Sequence, residues 1–265
     1  MSTAAKTRHR KCLEYIENHK YTTIADLVDF LKVSPITVRR DLTVLDQQNL
    51  VTRVYGGVVP YEGHPTDPSS YPQGEEIVVR LNANMEEKKL LAQRAAGLVK
   101  DGQVVYIDAG STCYYIARLL SEKKIMVVTN SLIVVNFLKT FPNIRLLILS
   151  GEYFQNLDGF IGTVENSLLQ NIALDIAFIG TAYFDAAKGC FNGTFSETEI
   201  KNTVNSLARE SYIVFDSTKT TRSSPYLSIP IERVKNIITT SRINDKANFA
   251  SLLEKKNINV LFADA

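Results

Sequence analysis

From residue 75 onward, apolar runs of strand length alternate with stretches whose apolar residues recur every three or four positions. The runs predict strands at 104–109, 125–129, 145–150, 175–180, 212–216, 236–239 and 259–262. The stretches between them predict helices near 83–100, 112–121, 131–139, 163–171, 196–209 and 245–255. Strands and helices that take turns in this way specify an α/β unit, a mainly parallel sheet covered by helices on both faces.

The first sixty residues follow a different pattern. Leu13 and Ile16 mark the apolar face of a first helix. Thr23 is placed to cap a second, in which Ile24, Leu27, Val28 and Leu31 follow the i, i+3, i+4, i+7 rule. Lys32 and Val33 form a tight turn, Ser34 is an N-cap, and Pro35 suits the first helical position because its missing N–H has no helical partner there. The third helix then carries Ile36, Val38, Leu42 and Leu45 as apolar positions and presents Thr37, Arg39, Arg40 and Thr43 among the others. Residues 50–59 read as two apolar runs around Gly56 and Gly57, a β-hairpin with Arg53 and Tyr55 near its tip. Two short helices, the second rich in arginine, followed by a hairpin have the form of a winged helix-turn-helix.

Length and composition place these patterns in separate domains. A chain of 265 residues has room for about two domains of roughly 150 residues. Residues 60–74 hold four of the eight prolines and little apolar content, so the division expected is 1–60, a linker at 61–75, and 76–265. The net charge of +2 is too small to give nucleic-acid affinity by itself. Its distribution favours the N-terminal part: nine Lys/Arg against six Asp/Glu in residues 1–60, and 21 against 22 in the rest. Cys12, Cys113 and Cys190 are odd in number and form no CxxC, which argues against a disulfide framework or zinc site and for reduced thiols in a cytoplasmic protein. His9, His19 and His64 have no metal-ligand partners at useful spacing. The most apolar segment, 125–138, is interrupted by Thr129, Asn130, Ser131 and Asn136 and is too short to span a bilayer.

Ligands of parallel sheets bind beyond the carboxyl ends of the strands, so the loops there carry the candidate chemistry. Asp108-Ala109-Gly110-Ser111-Thr112 combines a glycine that admits close backbone approach, two hydroxyls and a helix N-terminus, the makings of an anion cradle. Thr129-Asn130-Ser131 and Ser150-Gly151-Glu152 occupy the next such junctions, and another follows Gly180. Lys219, in Asp216-Ser217-Thr218-Lys219, is placed to neutralise a phosphate as a point charge.

Together these stretches resemble the DeoR family of bacterial transcriptional regulators over roughly residues 6–240. The N-terminal match is Val33-Ser34-Pro35-Ile36-Thr37-Val38-Arg39-Arg40-Asp41-Leu42 with Leu45, then Arg53-Val54-Tyr55-Gly56-Gly57, with Tyr55 where the family usually has His and Asn49 where Gly is common. The C-terminal matches run in order through Arg80 and Lys88, 108–112, 129–131, 150–151, 175–180, Glu197 with Lys201, and 216–219. One departure is a single glycine, Gly151, where the family has a pair.

The resemblance implies a sensor fold similar to ribose-5-phosphate isomerase and the CoA-transferases, used to sense a phosphorylated sugar rather than to turn it over. It implies DNA contact by Ser34, Thr37, Arg39, Arg40, Thr43, Arg53 and Tyr55. Arg40 and Arg53 are candidates for phosphates, Thr37 and Arg39 for base edges, and the sequence does not divide these tasks between the arginines. Gly110, Ser111 and Thr112 are expected at the effector's phosphate with Lys219 as counter-charge. Asp108, Asn130 and Glu197 are expected at the sugar hydroxyls, and Gly151 in the pocket wall. Asp175 and Asp216 have a simpler reading as carboxylates that fix loops by accepting backbone N–H bonds.

The function expected is a repressor of a carbohydrate operon, released from operator DNA by a sugar phosphate. It would be a homo-oligomer (dimer or larger) without cofactor, metal or membrane association. Two alternatives stand beside it. A sugar-phosphate isomerase would use Glu197 as base and Lys219 as cation, but has no use for the arginine-rich helix. An adaptor would bind protein through its N-terminal unit.

Overall fold

The computed structural model describes residues 3–19, 22–47, 50–54, 57–60, 77–161, 169–221 and 223–264. The expected linker, Tyr55, and most of the helix expected at 163–171 lie outside these residues. The backbone groups into two compact units, Met1–Thr66 with Val78–Ala83, and Asp67–Ile77 with Asn84–Ala265.

In the first unit, α1 (Thr3–His19), α2 (Ile24–Leu31) and α3 (Pro35–Gln47) are followed by a small sheet. Its strands β1 (Thr22–Thr23), β2 (Val51–Val54) and β3 (Gly57–Pro60) are antiparallel in the order β1-β3-β2, so the wing is a hairpin tied to the start of α2. Thr23 caps α2 in a reciprocal box: Asp26 N–H donates to Thr23 Oγ1 (3.1 Å) and Thr23 N–H to Asp26 Oδ2 (2.9 Å). Lys32 ends α2 in the left-handed region (φ 54°), its N–H donating to Val28 O at 2.9 Å. Cys12, Ile16, Leu27, Val38, Leu42, Leu45, Val51 and Val58 form the core.

Ile36, expected on the apolar side of α3, is 76% exposed. The buried positions 38, 42 and 45 are spaced i, i+4, i+7, and a residue two places before Val38 points about 200° away from it. A buried ion cluster holds the same helix from behind. Asp41 accepts from Arg8 Nε at one oxygen and from Arg8 Nη2 at the other (2.9 Å), with His9 Nε2 3.0 Å away, so α1 grips α3 through a charge.

The helix α4 (Ile77–Asn82) precedes the second unit's elements, which are α5 (Met85–Ala96), β4 (Val104–Ile107), α6 (Ser111–Leu119), β5 (Ile125–Thr129), α7 (Leu132–Leu138) and β6 (Ile144–Ile148), then a hairpin of β7 (Glu152–Phe154) and β8 (Gly159–Ile161). After it come β9 (Ile176–Gly180), β10 (Tyr183–Asp185), β11 (Gly189–Asn192), α8 (Phe195–Leu207), β12 (Glu210–Val214), β13 (Tyr226–Pro230), β14 (Asn236–Thr239), α9 (Lys246–Glu254) and β15 (Asn259–Phe262). All seven strands expected from the apolar runs pair in one parallel sheet, in the order β15-β14-β12-β9-β4-β5-β6.

The chain leaves β4 toward one edge through β5 and β6, then returns to β9 on the other side of β4 and leaves toward the opposite edge. Right-handed crossovers therefore put helices on opposite faces. The packing agrees: Val105, Ile107, Ile176, Phe178 and Val214 pack with α5, α6 and α7, while Tyr106, Ala177, Ile179 and Ile213 pack with α8 and α9. Alternate residues of the inner strands β4, β9 and β12 face opposite cores, and a nearly continuous apolar run is the result. Three strands that the apolar runs did not predict, β10, β11 and β13, form a second, antiparallel sheet against the α8 side. The three cysteines are free and buried, and burial pushes the Cys12 thiol to about 11 and Cys190 to about 12. Among the described residues no helix is long and apolar enough to cross a membrane.

The Asp41 cluster yields the first prediction. Burial works against ionisation of Asp41, yet the hydrogen bonds from Arg8 and His9 hold its carboxyl below the usual range. Its contribution is therefore complete above the unfolded value of about 3.9 and is lost as pH falls through the folded one. Asp41→Ala should cost the first unit about 1–2 kcal/mol, the low end for charged hydrogen bonds because Arg8 is 26% exposed. Native-state hydrogen exchange should show faster exchange in α1–α3 and unchanged exchange in β4, β5 and β9.

Candidate effector site and DNA-reading helix

Between β4 and β9 the order of the sheet reverses, and the carboxyl ends of strands at such a point open a crevice for ligands. The loops leaving β14, β12, β9, β4, β5 and β6 succeed one another there at the strand spacing of about 4.8 Å. Five effector residues expected from sequence, Asp108, Gly110, Ser111, Thr112 and Asn130, lie on the adjacent β4 and β5 loops, with Lys219 on the β12 loop.

Asp108 is 1% exposed and closes the reversal point. Its Oδ2 accepts from Gly180 N–H (2.8 Å), at the end of β9, and from the ammonium of Lys201 on α8. Lys201 Nζ also donates to Gly180 O (2.9 Å). Burial opposes the charge on Lys201, but Asp108 and then Glu197 outweigh it and raise its pKa. Tyr106 OH lies 3.2 Å from Asn130 Oδ1 and 3.4 Å from Asp108 Oδ1, which extends the network to β5. Lys201 is the principal residue that sequence reasoning passed over as a site residue. Its signal was present as the lysine four places after Glu197.

Asn130 is also committed: its Nδ2 donates to Phe160 O (2.8 Å), and its own carbonyl accepts from Phe160 N–H (2.8 Å), pinning β8 over the loop. A side chain at Gly159 would lie 2.7 Å from Asn130 O, so this contact requires glycine. Beside it, Ser131 is fully buried and its hydroxyl has no hydrogen-bond partner among the described residues. In the triplet 129–131 it is therefore Ser131, not Asn130, whose side chain is uncommitted. Gly151 is exposed beyond β6.

Ser111 and Thr112, buried, open α6 directly after Gly110. The β12 loop is shaped from below by Glu87 of α5, which accepts from Ser217 N–H (2.9 Å), Ser217 Oγ (2.9 Å) and Thr240 Oγ1 (2.6 Å). Asp216 accepts from Thr218 N–H (3.1 Å) and Asn84 Nδ2 (3.2 Å), starting the turn that carries half-buried Lys219. Asp175 accepts from Val104 N–H (2.8 Å), so both aspartates fix loops. Glu197 is placed with Asn192 and Thr194 in the cap of α8, accepting from Asn192 Nδ2 (3.2 Å) and Thr194 Oγ1 (3.1 Å).

On α3, Arg39 and Arg40 are exposed and Thr37 and Thr43 half-buried. Ser34 Oγ lies 2.9 Å from Thr37 Oγ1 and accepts from Thr37 N–H (3.3 Å), which makes it the cap of the helix. Thr43 Oγ1 donates to Arg39 O (2.8 Å). Arg53 lies in β2 opposite Val58, and Tyr55 is outside the described residues.

A winged helix-turn-helix with an arginine-bearing exposed helix, joined in one chain to an α/β unit with polar loops at its switch point, defines a DNA-binding regulator with a sensing domain. The DeoR-like helix-turn-helix domain matches residues 8–62, and the DeoR C terminal sensor domain matches residues 83–241. The chain belongs to the DeoR family of transcriptional regulators. It is 28% identical over 234 residues to the HTH-type transcriptional regulator IolR of Bacillus subtilis, covering 88% of this chain and 90% of that one. It is 30% identical over 244 residues to the lactose phosphotransferase system repressor of Lactococcus lactis (90% and 92%). To the glycerol-3-phosphate regulon repressor of Escherichia coli it is 28% identical over 218 residues (82% and 83%). Among solved structures, a D-ribose-5-phosphate isomerase in complex with phospho-erythronic acid aligns at 20% identity and a TM-score of 0.39, over 51% of this chain and 54% of that one.

The Asp108–Lys201 pair can be broken selectively. Lys201→Met should destabilise the larger unit by about 3–5 kcal/mol, because it leaves a buried charge unpaired, and Lys201→Met with Asp108→Asn should recover much of that. Because the Lys201 pKa is raised, the pair's contribution is full below about 10.4 and fades only as pH climbs through the higher folded value. Chemical denaturation of both variants across alkaline pH checks both statements.

Proposed function

We propose that this chain represses a carbohydrate operon from the cytoplasm, as a dimer or larger homo-oligomer, and that a phosphorylated sugar bound at the carboxyl edge of the parallel sheet releases it from operator DNA. The observation that carries the reading is the arrangement at the reversal point. Ser111 and Thr112 open α6 beside a rigid Asp108–Lys201 pair, and Lys219 stands on the β12 loop, two strands away along the same edge. Backbone N–H groups and hydroxyls at a helix start suit a phosphate, and a lysine on the same edge supplies counter-charge. The ring hydroxyls would then meet Asp108, Asn130, Glu197 and the partnerless hydroxyl of Ser131, with Gly151 in the wall. Relatives named as repressors of glycerol-3-phosphate and lactose systems support the same substrate class.

Where the carboxylates are spent supports sensing without turnover. Glu197 is engaged by Asn192 and Thr194, and Asp108 by Lys201 and Gly180, so neither stands as an unencumbered base. No cofactor is needed for this role.

A panel of sugar phosphates and their unphosphorylated sugars, screened by thermal shift, tests the proposal. A ligand at 100 times its Kd should stabilise the fold by about 2.7 kcal/mol, only the phosphorylated forms should score, and Lys219→Ala should weaken the hit. The same ligand should lower operator affinity by about 5- to 150-fold, the usual range of allosteric coupling. Stabilisation by the free sugar as strong as by its phosphate would overturn the assignment.

A further inference from the structure

Ile36 is the most exposed large hydrophobic residue of the described chain, at 76%, and it lies on the helix whose arginines face solvent. Helical spacing puts it in one stripe with Arg39, Arg40 and Thr43, at i+3, i+4 and i+7, while Val38, Asp41, Leu42 and Leu45 form the opposite, buried stripe. An aliphatic side chain thus stands among the cations that would track DNA phosphates. The hydroxyls around it are partly spent. Ser34 and Thr37 are bonded to each other in the cap, and Thr43 donates back to Arg39 O. Neither Ser34 nor Thr37 is as free to read a base as its residue type suggested.

The only apolar group that base pairs display in the major groove is the C5-methyl of thymine, and apolar side chains read it by contact. We propose that Ile36 is a specificity-determining residue of this regulator, packing on a thymine methyl in each half-site while Arg39 and Arg40 supply charge and polar contacts. This inference rests on the DNA-binding reading and deepens it. It assigns one operator position to thymine over cytosine and over uracil, a distinction that no phosphate contact makes.

The test removes the methyl from the DNA without touching the protein. The full chain is used to select duplexes from a random pool, and each thymine of the recovered half-site is replaced in turn by deoxyuridine. At one position the loss should be about fourfold in affinity, the worth of one buried methyl. Ile36→Ala should cost at least as much on the thymine duplex, and that same uracil replacement should cost Ile36→Ala nothing further. Ile36→Leu should retain most of the affinity. Both variants should keep wild-type thermal stability, because the side chain is exposed. If every uracil replacement costs the wild type and Ile36→Ala equally, the inference falls while DNA binding stands. If Ile36→Ala changes regulation without changing DNA affinity, Ile36 faces a protein partner and the inference falls again. Recovery of no preferred duplex would instead overturn the regulator reading on which it rests.

Discussion

The buried ion pair between Asp108 and Lys201 is the constraint around which the sensing unit is arranged. A carboxylate at the end of β4 and an ammonium from α8 meet where the sheet reverses its order, and both are also bonded to the backbone of Gly180 at the end of β9. Three elements far apart in sequence are fixed at one point. Removing two charges from water is costly unless their remaining hydrogen-bonding capacity is met. The Gly180 N–H and carbonyl do this, and Tyr106 passes the network on to Asn130 and so to the β7–β8 hairpin.

In this arrangement support precedes sensing. Asp108, Asn130, Glu87, Asp175 and Asp216 spend their polar atoms on backbone and neighbouring side chains, so the loops they hold are shaped before any ligand arrives. Groups with capacity left over, such as the Ser131 hydroxyl, stand on loops that are already rigid. A site preorganised in this way loses little entropy on binding, which favours discrimination between similar ligands.

The seven strands of the main sheet were legible because each is a mostly apolar run, the inner ones buried on both faces, with β5, β14 and β15 reproduced to the residue. The antiparallel strands β10, β11 and β13 were not. They are short and interrupted by polar residues such as Asp185, Asn192 and Ser228, and β13 joins the β10–β11 hairpin only by pairing with β11 across a long stretch of sequence. In the same way, Thr23, Pro35 and the β2–β3 pairing of the wing could be read locally, because caps and hairpins depend on neighbouring residues. The partners of Asp41 and Asp108 could not, because they lie 33 and 93 residues away and nothing local specifies them. Ile36 failed for a third reason: apolarity was taken as burial, when its spacing from Val38 already placed it on the other side of α3.

Charge limits how the two units can work together. Residues 1–60 hold nine cationic side chains, and Arg8 is already neutralised by Asp41. Non-specific affinity grows with the number of phosphates neutralised, so one such head offers modest affinity at physiological salt. Two heads joined through their sensing units would bind the second half-site at high effective concentration, which raises affinity without any new contact. In the proposed oligomer an effector then has no need to alter α3. A change in the spacing of two unaltered heads is enough to forfeit the second half-site, because avidity disappears once geometry forbids simultaneous engagement. Such a scheme lets α1 and α3 remain rigidly locked by the Asp41 cluster while the regulated quantity is their separation.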